Sequence, residues 1–442
     1  MPLAISPWWD FAGHLAARFR ILGADRIPQL EIARSVSSNV DGGQPKPGPR
    51  RAGPIALVLP STMASGTERR LSFVYRHLER RFPGKYRLIL SADLYPVLNR
   101  GGFALDQLPG VHVLGRKATV DRKSGSDAPA LVNLGRLVTL FRYRRQLKHL
   151  ISQERIAMLH PYLELVPFLA LMPIREIPSI VPIVDHQPRY FDQGSLHCRL
   201  LLRAIASAER VDCLYLWITQ RMEGLGVERR KLANPAWNCV NHDAFHPAEK
   251  DERSVSFAAR TIDLKNPLLM LEVIQQVLRR RPDVRFAVLG KGDMESAMTR
   301  EIAKRGWGDR VRIGYLEDPS PVVNQSLVHI SLERLDNFAN QSLLEGMAAG
   351  CATVASDVGE THRVVTDEVG LLSPLEAEPL ADAILRLVDD PGKARKMGAA
   401  GRQRVMRNHH VDRYVDYLRL VHDLSQPGQI VDGVRLAPET EA

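Results

Sequence analysis

The chain is 442 residues long, and its hydrophobic content of 45% and charged content of 25% are those of a globular protein. This length exceeds what one compact core needs and predicts two or three domains, while no apolar run is long enough for a transmembrane helix. The formal net charge of +10 at pH 7 indicates an anionic partner, which composition leaves open between nucleic acid, acidic lipid and a phosphorylated substrate.

The first segment, residues 1–53, is predicted to be a short helical appendage followed by a flexible linker. Asp10, His14 and Arg18 interrupt its apolar residues, so it lacks the continuous apolar region of a signal peptide. The linker is the Gly-, Pro- and Arg-rich stretch DGGQPKPGPRRAG. The cysteines of the chain have neither disulfide nor metal spacing, which favours a reducing, cytoplasmic location; they are Cys198, Cys213, Cys239 and Cys351.

Residues 54–245 are predicted to form one Rossmann-like domain. Short apolar runs alternate there with amphipathic stretches, which is typical of a parallel sheet with helices on both faces. The predicted strands are Ile55–Leu59, Tyr86–Leu90, Val111–Leu114, Ile156–Leu159, Ile180–Val184 and Val211–Trp217. An amphipathic helix around residues 136–150 carries Arg142, Arg144 and Arg145 on one face, which predicts either peripheral contact with an anionic membrane or a solvated basic surface.

The alternation restarts after a polar connection, residues 241–253, and predicts a second Rossmann-like domain over residues 246–405. Its predicted strands are Val255–Ala259, Val284–Leu289, Val311–Gly314, Leu327–Leu332 and Ala352–Ala355. Predicted helices follow at Pro379–Asp389, Pro391–Met406 and Val411–Leu424, and residues 406–425 are expected to return to the first domain. Residues 426–442 lack periodicity and are predicted to be disordered. Two such domains leave a cleft between the C-terminal edges of their sheets, where α/β proteins bind ligands.

Two loops after predicted strands carry candidate site residues, and a third is interpreted as structural. The first, Pro60–Arg69, contains Gly66 at the start of a helix, where small residues let backbone N–H groups approach a phosphate. In the second domain, Arg260 ends a strand and Lys265 begins the next helix, so two cations share one loop and can neutralise a diphosphate. Gly290-Lys291-Gly292 is interpreted as a turn that reflects backbone geometry rather than phosphate contact.

The most informative segment is residues 331–361, SLERLDNFANQSLLEGMAAGCATVASDVGET. Asp336 and Glu345 place two acids at the entrance of a helix whose small residues, 346–350, favour close packing on a sheet. Acids beside a helix N-terminus, at the C-terminal edge of a parallel sheet, suit a phosphorylated and polyhydroxylated ligand. The segment therefore predicts a site for a nucleotide sugar.

These motifs, in this order, resemble the retaining glycosyltransferases of family 4, also called glycosyl transferases group 1. The residues that carry the resemblance are Arg260 with Lys265, then RPDVRFAVLGKGD, then DRVRIGYLEDP, then the two acids with SLLEGMAAGCATVASDVGET. It covers roughly residues 55–424 and is most specific over residues 257–388. The resemblance implies an α/β protein of the GT-B fold, in which two Rossmann-like, doubly wound parallel-sheet domains face a cleft.

The resemblance also implies roles for individual residues. Glu345 would hold the ribose hydroxyls of the donor, Asp336 the hydroxyls of its sugar, and Arg260 with Lys265 its diphosphate. The two acids stand one residue further apart than is usual in the family, so Asn337 and Glu333 stay open as alternatives to Asp336. The remaining donor contacts are expected from Gly66, Tyr315, Asn337, Phe338, Gln341 and Ser342, and the acceptor contacts from His160 and His186.

The function that the resemblance implies is transfer of a hexosyl unit from a nucleotide diphosphate sugar to an acceptor hydroxyl, with retention at the anomeric carbon. We expect no metal and no cofactor, because no Asp-x-Asp pair occurs and the cations and the helix start near Gln341 supply positive charge. Cell-surface glycan or lipid-linked saccharide assembly, at the cytoplasmic face of a membrane, is the expected setting. Three alternatives stay open: a non-catalytic nucleotide-sugar-binding protein, a nucleotide-sugar epimerase and a nucleic-acid-binding protein, the last disfavoured by an aromatic content of 6%. The sugar, the base and the acceptor are not specified by these residues.

Overall fold

The computed structural model describes residues 52–61, 64, 66–115, 142–162, 177–183, 192, 195–214, 216–234, 238–336 and 340–424. The structural statements below concern these residues. The contacts between Cα atoms divide the chain into two compact units. The carboxy-terminal unit is Trp237–Asp416, and the amino-terminal unit contains the described residues before it together with those from Tyr417 onwards.

The amino-terminal unit is built on parallel strands. They are β1 (Ile55–Leu59), β2 (Tyr86–Ser91), β3 (Val111–Leu114), β4 (Met158–Pro161), β5 (Ile180–Ile183), β6 (Arg210–Cys213) and β7 (Leu232–Ala233). They pair in the orders β3-β2-β1-β4 and β5-β6-β7, and a parallel bridge between Leu159 and Ser179 joins β4 to the segment that leads into β5. The helices of this part are α1 (Gly66–Arg81), α2 (Leu94–Leu98), α3 (142–153), α4 (Leu196–Ala206) and α5 (Leu216–Gly224).

The carboxy-terminal unit contains one sheet of six parallel strands. They are β8 (Asp251–Ala258), β9 (Arg285–Leu289), β10 (Val311–Gly314), β11 (Ser326–Ser331), β12 (Ala352–Ser356) and β13 (Gly370–Ser373), in the order β10-β9-β8-β11-β12-β13. Its helices are α6 (Pro267–Arg280), α7 (Glu295–Lys304), α8 (Ser320–Gln325), α9 (Gln341–Ala348), α10 (Ala377–Val388) and α11 (Pro391–Asn408). The last helix, α12 (Val411–His422), begins in this unit and ends in the amino-terminal one.

Both units follow the strand order of a Rossmann fold. Numbered within each unit, the first six strands lie in the order 3-2-1-4-5-6, which is the doubly wound arrangement. In the carboxy-terminal unit the order reverses between β8 and β11, so this pair marks the topological switch point. Ligands of open α/β sheets bind outside the carboxyl ends of the strands at such a point.

Burial explains why these runs form strands and helices. The strands β11 and β12 are buried along their whole length, as expected for parallel strands covered on both faces. The helices α6 and α10 bury one apolar stripe each, with Met270, Ile274 and Ile384 in a continuous core with Val255 and Phe257 of β8. The core thus fixes the sheet, and the loops at its carboxyl edge carry the polar residues.

The predicted strands largely coincide with the observed ones, although β4 lies two residues later than predicted, at Met158–Pro161, and further differences follow. The run predicted as Val211–Trp217 ends as a strand at Cys213, and Leu216 and Trp217 begin α5, because an apolar run does not by itself separate a strand from a buried helix start. The strands β7 and β13 were not predicted: β7 has only two residues, and the four residues of β13, GLLS, give little period-2 signal. The strand β8 begins at Asp251, inside the predicted polar connection, and its first half is partly exposed.

No helix among the described residues combines the length and the apolar character that crossing a membrane requires.

Candidate functional site

The candidate site lies at the switch point of the carboxy-terminal sheet, where two loops leave neighbouring strands. The loop after β8 passes Arg260 and forms a short 3-10 turn, Asp263–Lys265, before α6. The loop after β11 carries Glu333 and Asp336 and leads to α9. Because β8 and β11 are paired in parallel, these loops leave the same edge of the sheet. The loops that carry Arg260, Lys265, Glu333 and Asp336 are therefore neighbours at this edge.

At the centre of this edge is a buried ion pair between Lys265 and Glu333. The Lys265 side chain reaches the Glu333 carboxylate through Nζ and Oε1, and both residues are less than a tenth exposed, at 8% and 4%. Burial lowers the pKa of Lys265, while the neighbouring Glu333 carboxylate acts in the opposite direction and Arg260 adds to the lowering. The lysine is thus a buried cation whose charge the Glu333 carboxylate stabilises.

Asn340 connects this ion pair to the start of α9. Its Nδ2 donates to the same Oε1 of Glu333, and also to Ser331 Oγ at 3.3 Å. Its Oδ1 accepts a hydrogen bond from Ser342 N at 2.8 Å, which makes Asn340 the N-cap of the helix. The helix start, with its partial positive charge, is therefore held beside the lysine and the glutamate.

Arg260 is the second cation of the site. It is exposed, and among the described residues its guanidinium forms no hydrogen bond or ion pair. The turn after β9 packs closely against the backbone of its loop: a Cβ on Gly290 would lie 1.8 Å from Ala259 O, and one on Gly292 would lie 2.6 Å from Thr261 O. These distances give the glycines the steric role that the sequence predicted, since only glycine permits this approach.

Ser342 ends a buried chain of hydrogen bonds that starts inside the sheet. Ser256 Oγ lies 2.9 Å from His329 Nδ1, His329 Nε2 lies 3.0 Å from Ser342 Oγ, and Ser342 Oγ donates to Ala258 O. Complete burial lowers the pKa of His329 to about 4, so the imidazole is neutral at pH 7 and one ring nitrogen donates while the other accepts. These hydrogen bonds fix α9 against β8 and β11, and they already use the Ser342 hydroxyl as donor and acceptor.

The two acids predicted as the donor pair have different surroundings. Glu345 is 9% exposed and lies in the second turn of α9. Asp336 is half-buried, and its Oδ1 accepts a hydrogen bond from Glu360 N at 3.3 Å in the loop after β12. Gly359, with a φ of 56°, packs on this carboxylate, since a Cβ there would lie 2.2 Å from Asp336 Cγ. Asp336 is therefore anchored to the neighbouring loop.

The other predicted donor residues are placed as follows. Gln341 is the first residue of α9 and its Oε1 accepts from Asn238 Nδ2 at 3.4 Å. Tyr315 follows β10 and is 40% exposed, as a residue that contacts a ligand can be. Gly66 opens α1 in the amino-terminal unit. Asn337, Phe338 and the predicted acceptor residue His186 lie outside the described residues.

The surroundings of His160 differ from those expected of an acceptor contact. It belongs to β4, is fully buried, and its Nδ1 lies 2.9 Å from Nε2 of His422 on α12. Its Nε2 lies 3.5 Å from Asp212 Oδ2, and Asp212 in turn accepts a hydrogen bond from Tyr417. His160 is thus part of a buried network that packs the end of α12, and the lone histidine at a strand end does not reveal this partner 262 residues away in sequence.

Two further residues shape the site and were given no role from the sequence. Arg334 donates to Asp263 and Asn266, and its backbone N donates to Leu264 O at 3.0 Å, so it ties the two loops together. Asn340 was not singled out either. Their positions in the sequence could have identified both residues. Arg334 follows a strand at the switch point, where polar residues of neighbouring loops meet. Asn340 lies just before an apolar helix, where a short polar side chain is a candidate N-cap.

Among the residues that the structure describes, no group of three or more His, Cys, Asp or Glu side chains is placed to hold a metal ion.

Comparison with protein families agrees with the resemblance inferred from the motifs. Residues 241–404, which include the whole loop set described above, match the family model described as "Glycosyl transferases group 1". The resemblance to group 1 glycosyl transferases is therefore confirmed for the carboxy-terminal unit.

Two curated proteins illustrate the relatives. The chain is 28% identical over 209 residues to a phosphatidyl-myo-inositol mannosyltransferase of Mycobacterium tuberculosis, covering 42% of this chain and 52% of that protein. It is 29% identical over 235 residues to a component of the phosphatidylinositol N-acetylglucosaminyltransferase of Arabidopsis thaliana, covering 50% of each. The chain spans about half the length of the curated relatives it matches.

Solved structures match over a larger part of the chain. The crystal structure of Anabaena HepE with UDP-glucose superposes with a TM-score of 0.64 at 16% identity, covering 84% of this chain and 99% of that one. Sucrose-phosphate synthase from Thermosynechococcus elongatus superposes with a TM-score of 0.62 at 18% identity, covering 84% and 98%. Likeness at this identity concerns the fold alone, and it confirms the predicted α/β class and GT-B fold.

Proposed function

We propose that this chain is a retaining glycosyltransferase that moves a hexosyl unit from a nucleoside diphosphate sugar to an acceptor hydroxyl. The observation that supports this most is the meeting of Lys265, Arg260 and the start of α9 at the switch point of a Rossmann-like sheet, within the residues that match the group 1 family model. Two cations and a helix N-terminus form a site for an anion with more than one charge. A diphosphate has that charge.

The leaving group explains why these residues suit transfer as well as binding. When the bond between the sugar and the diphosphate breaks, negative charge grows on the phosphate oxygen. Lys265 and Arg260 are the groups that we assign to this charge, and the N–H groups at the start of α9 add partial positive charge. Because Lys265 is buried, its field is screened less by water than that of a surface lysine.

The acids are assigned to hydroxyl groups of the donor. Glu345 is our candidate for the ribose hydroxyls, since a carboxylate accepts two hydrogen bonds from a vicinal diol. Asp336 is our candidate for the hydroxyls of the transferred sugar. Tyr315, Phe338 and Asn337 are proposed to contact the base and sugar, and Gly66 to allow close approach from the loop of the amino-terminal unit.

Retention is proposed to follow from a displacement on one face of the sugar, in which the departing phosphate helps to deprotonate the acceptor. The anomeric configuration of the product glycoside, which does not mutarotate, is compared with that of the donor by NMR to test this. An inverted product would contradict it. We also propose that the cations make a divalent metal unnecessary, so EDTA is expected to leave turnover unchanged; loss that only manganese or magnesium restores would contradict this part.

The acceptor is proposed to be a hydroxyl of a lipid-linked polyol or saccharide. The two relatives described above are named for transfer to phosphatidylinositol, one of a mannosyl and the other of an N-acetylglucosaminyl group. The basic face of α3, with Arg142, Arg144 and Arg145, is the surface we propose for contact with anionic lipid. Flotation with anionic vesicles tests it: replacing the three arginines by Glu is expected to abolish binding, and unchanged binding would contradict it.

A thermal-shift screen with UDP-, GDP- and ADP-sugars tests the donor site first. A ligand at about 100 times its dissociation constant stabilises the folded protein by about 2.7 kcal/mol, so the cognate donor raises the melting temperature measurably. Transfer to a water-soluble polyol acceptor is then measured with that donor. Absence of stabilisation by any of the nucleotide sugars would contradict the proposed function.

One alternative has a specific observation in its favour. The two acids are one residue further apart than is usual in the family, which would suit a protein that binds nucleotide sugars without transferring them. In that case, the wild type would show no turnover, and Asp336→Ala would leave nucleotide binding unchanged. We expect instead that this variant loses turnover and keeps nucleotide binding.

A further inference from the structure

The ion pair between Lys265 and Glu333 has features that ordinary surface pairs lack. Its members lie 68 positions apart in sequence, follow the two strands at the switch point, and are both almost fully buried. A buried ion pair seldom adds stability, because removing two charges from water costs about as much as their attraction returns. The position of this pair in the donor site points to a functional reason for it.

The charge of Lys265 is stabilised by its partner. The charged groups that act on its ammonium among the described residues are Glu333 and Arg260, one on each of the two loops. Burial and Arg260 both disfavour the protonated lysine, and the Glu333 carboxylate is what opposes them. The neighbouring Arg334 is engaged with Asp263 and Asn266 instead. A neutral amine would not stabilise a diphosphate, so the Glu333 carboxylate favours the form of Lys265 that the proposed site needs.

The glutamate is itself held firmly. Its backbone N donates to Ser356 Oγ at 2.9 Å, and Ser356 Oγ donates to its backbone O at 3.1 Å, which ties the loop to β12. Its Oε1 receives the Lys265 ammonium and the Asn340 amide together. One carboxylate oxygen therefore determines where the lysine nitrogen lies and where the N-cap of α9 lies.

We propose that Glu333 is a positioning residue, which holds the Lys265 ammonium in its charged form and the N-cap of α9 in place before the donor binds. This assignment rests on the proposed function and differs from a sugar-binding role for Glu333, because the carboxylate acts through Lys265 and Asn340. The chemical group that the arrangement serves is the diphosphate of a nucleoside diphosphate sugar.

Glu333→Gln tests the proposal, since it keeps the size of the side chain and removes its charge. Donor kcat/KM and the affinity for UDP and GDP are measured between about pH 6 and pH 9, where an unpaired buried lysine titrates. We expect the wild type to show a nearly flat profile for this group. The variant is expected to lose about tenfold in kcat/KM for each pH unit above the new pKa of Lys265, and to recover at low pH as the amine is protonated again.

Two further variants separate charge from structure. Glu333→Asp keeps the charge, so its profile is expected to stay flat at a lower level. Glu301→Gln, in an exposed pair with Arg305 on α7, is the matched control and is expected to behave as the wild type. A Glu333→Gln protein whose pH profile coincides with that of the wild type would overturn the proposal.

If Glu333→Gln does not fold, the comparison moves to a background without the buried cation. Adding Glu333→Gln to Lys265→Met keeps an oxygen that accepts from Asn340 and removes no partner of a charged lysine, so donor affinity and pH profile are expected to equal those of Lys265→Met alone. A further loss of about tenfold or more would overturn the proposal, because it would mean direct contact between Glu333 and the donor. A wild type that binds no nucleotide sugar would overturn the proposed function together with this one, whereas the outcomes above leave wild-type transfer intact.

Discussion

Replacing Gly346 by alanine is expected to destabilise the carboxy-terminal unit although alanine is the better helix former. Gly346 lies in α9 directly over His329 of β11, and a Cβ there would lie 2.4 Å from Cγ and Cδ2 of the imidazole. An ordinary contact needs about 1 Å more. His329 cannot move away freely, because it is fully buried and its two ring nitrogens are engaged with Ser256 and Ser342.

The magnitude follows from three contributions. Overpacking of a core typically costs about 1–3 kcal/mol. A displaced imidazole loses one or two hydrogen bonds, at about 1 kcal/mol each. Alanine returns about 1 kcal/mol through its helix propensity. The net loss in the free energy of unfolding is therefore about 1–4 kcal/mol, and each kcal/mol lowers the melting temperature by about 2–4 °C for a unit of this size.

Gly401→Ala is the matched control for this prediction. Gly401 is also buried in a helix, α11, but the nearest atoms to a Cβ at this position would be side-chain atoms of Met347 at 3.8 Å. Here we expect equal or higher stability, by up to about 1 kcal/mol. Urea unfolding of both variants, followed by circular dichroism and tryptophan fluorescence, provides the comparison. A Gly346→Ala protein as stable as Gly401→Ala would contradict the close packing of α9 on His329.

Three further predictions concern charge. Lys265→Met is expected to weaken UDP or GDP binding by about 1.5–3 kcal/mol, the value of a hydrogen bond to a charged group, as measured by calorimetry; unchanged affinity would remove Lys265 from the phosphate site. Asp336→Ala is expected to lose at least about tenfold in kcat while nucleotide affinity stays within about twofold, and a parallel loss of both would contradict its assignment to the sugar. Burial lowers the pKa of His329 and of His409 to about 4, so protons favour the unfolded state: stability is complete above the unfolded pKa of about 6.5 and falls as the pH drops towards 4. Each histidine contributes on the order of 3 kcal/mol to this loss, and urea unfolding that is unchanged between about pH 7 and pH 5 would contradict it.

Most strands of the sheets were predictable because they carry a local signal in the sequence. Buried parallel strands such as Leu327–Leu332 read as continuous apolar runs, and the structure places a strand there at Ser326–Ser331. The short β13 was missed because its residues, GLLS, lack both length and β-branched side chains. The end of β6 was misjudged because Leu216 and Trp217 continue the apolar pattern into α5.

The site was predictable only as a set of residues at one edge of a sheet. Arg260, Lys265, Asp336 and Glu345 were identified from their positions after strands and from the family motifs. The pairing of Lys265 with Glu333 could not be read from periodicity, since no local pattern relates two residues 68 positions apart. The burial of His160 beside His422 escaped for the same reason, because the partner comes from the last helix. In both cases the surroundings of the residue are set by a partner that is distant in sequence.

The net charge of +10, which first indicated an anionic partner, is not concentrated at the proposed donor site. This site contains the cations Lys265 and Arg260 and the carboxylates of Glu333, Asp336 and Glu345, so these cations do not outnumber these acids. In the proposed site, a diphosphate would therefore be bound through the placement of the two cations and the start of α9 rather than through a net positive charge, and the acids would face hydroxyl groups.

Some of the excess Lys and Arg residues instead stabilise the fold from α11. The sequence of this helix, PGKARKMGAAGRQRVMRN, contains no acid. Arg402 donates to Phe245 O and Ala348 O, the latter at the end of α9, and Arg404 donates to Arg363 O. Arg395 pairs with Glu252. Cations that bind carbonyl groups at helix ends compensate partial negative charge within the protein. A positive total charge therefore does not by itself favour a nucleic-acid partner for this chain, whereas the position of Lys265 beside the start of α9 favours a diphosphate ligand.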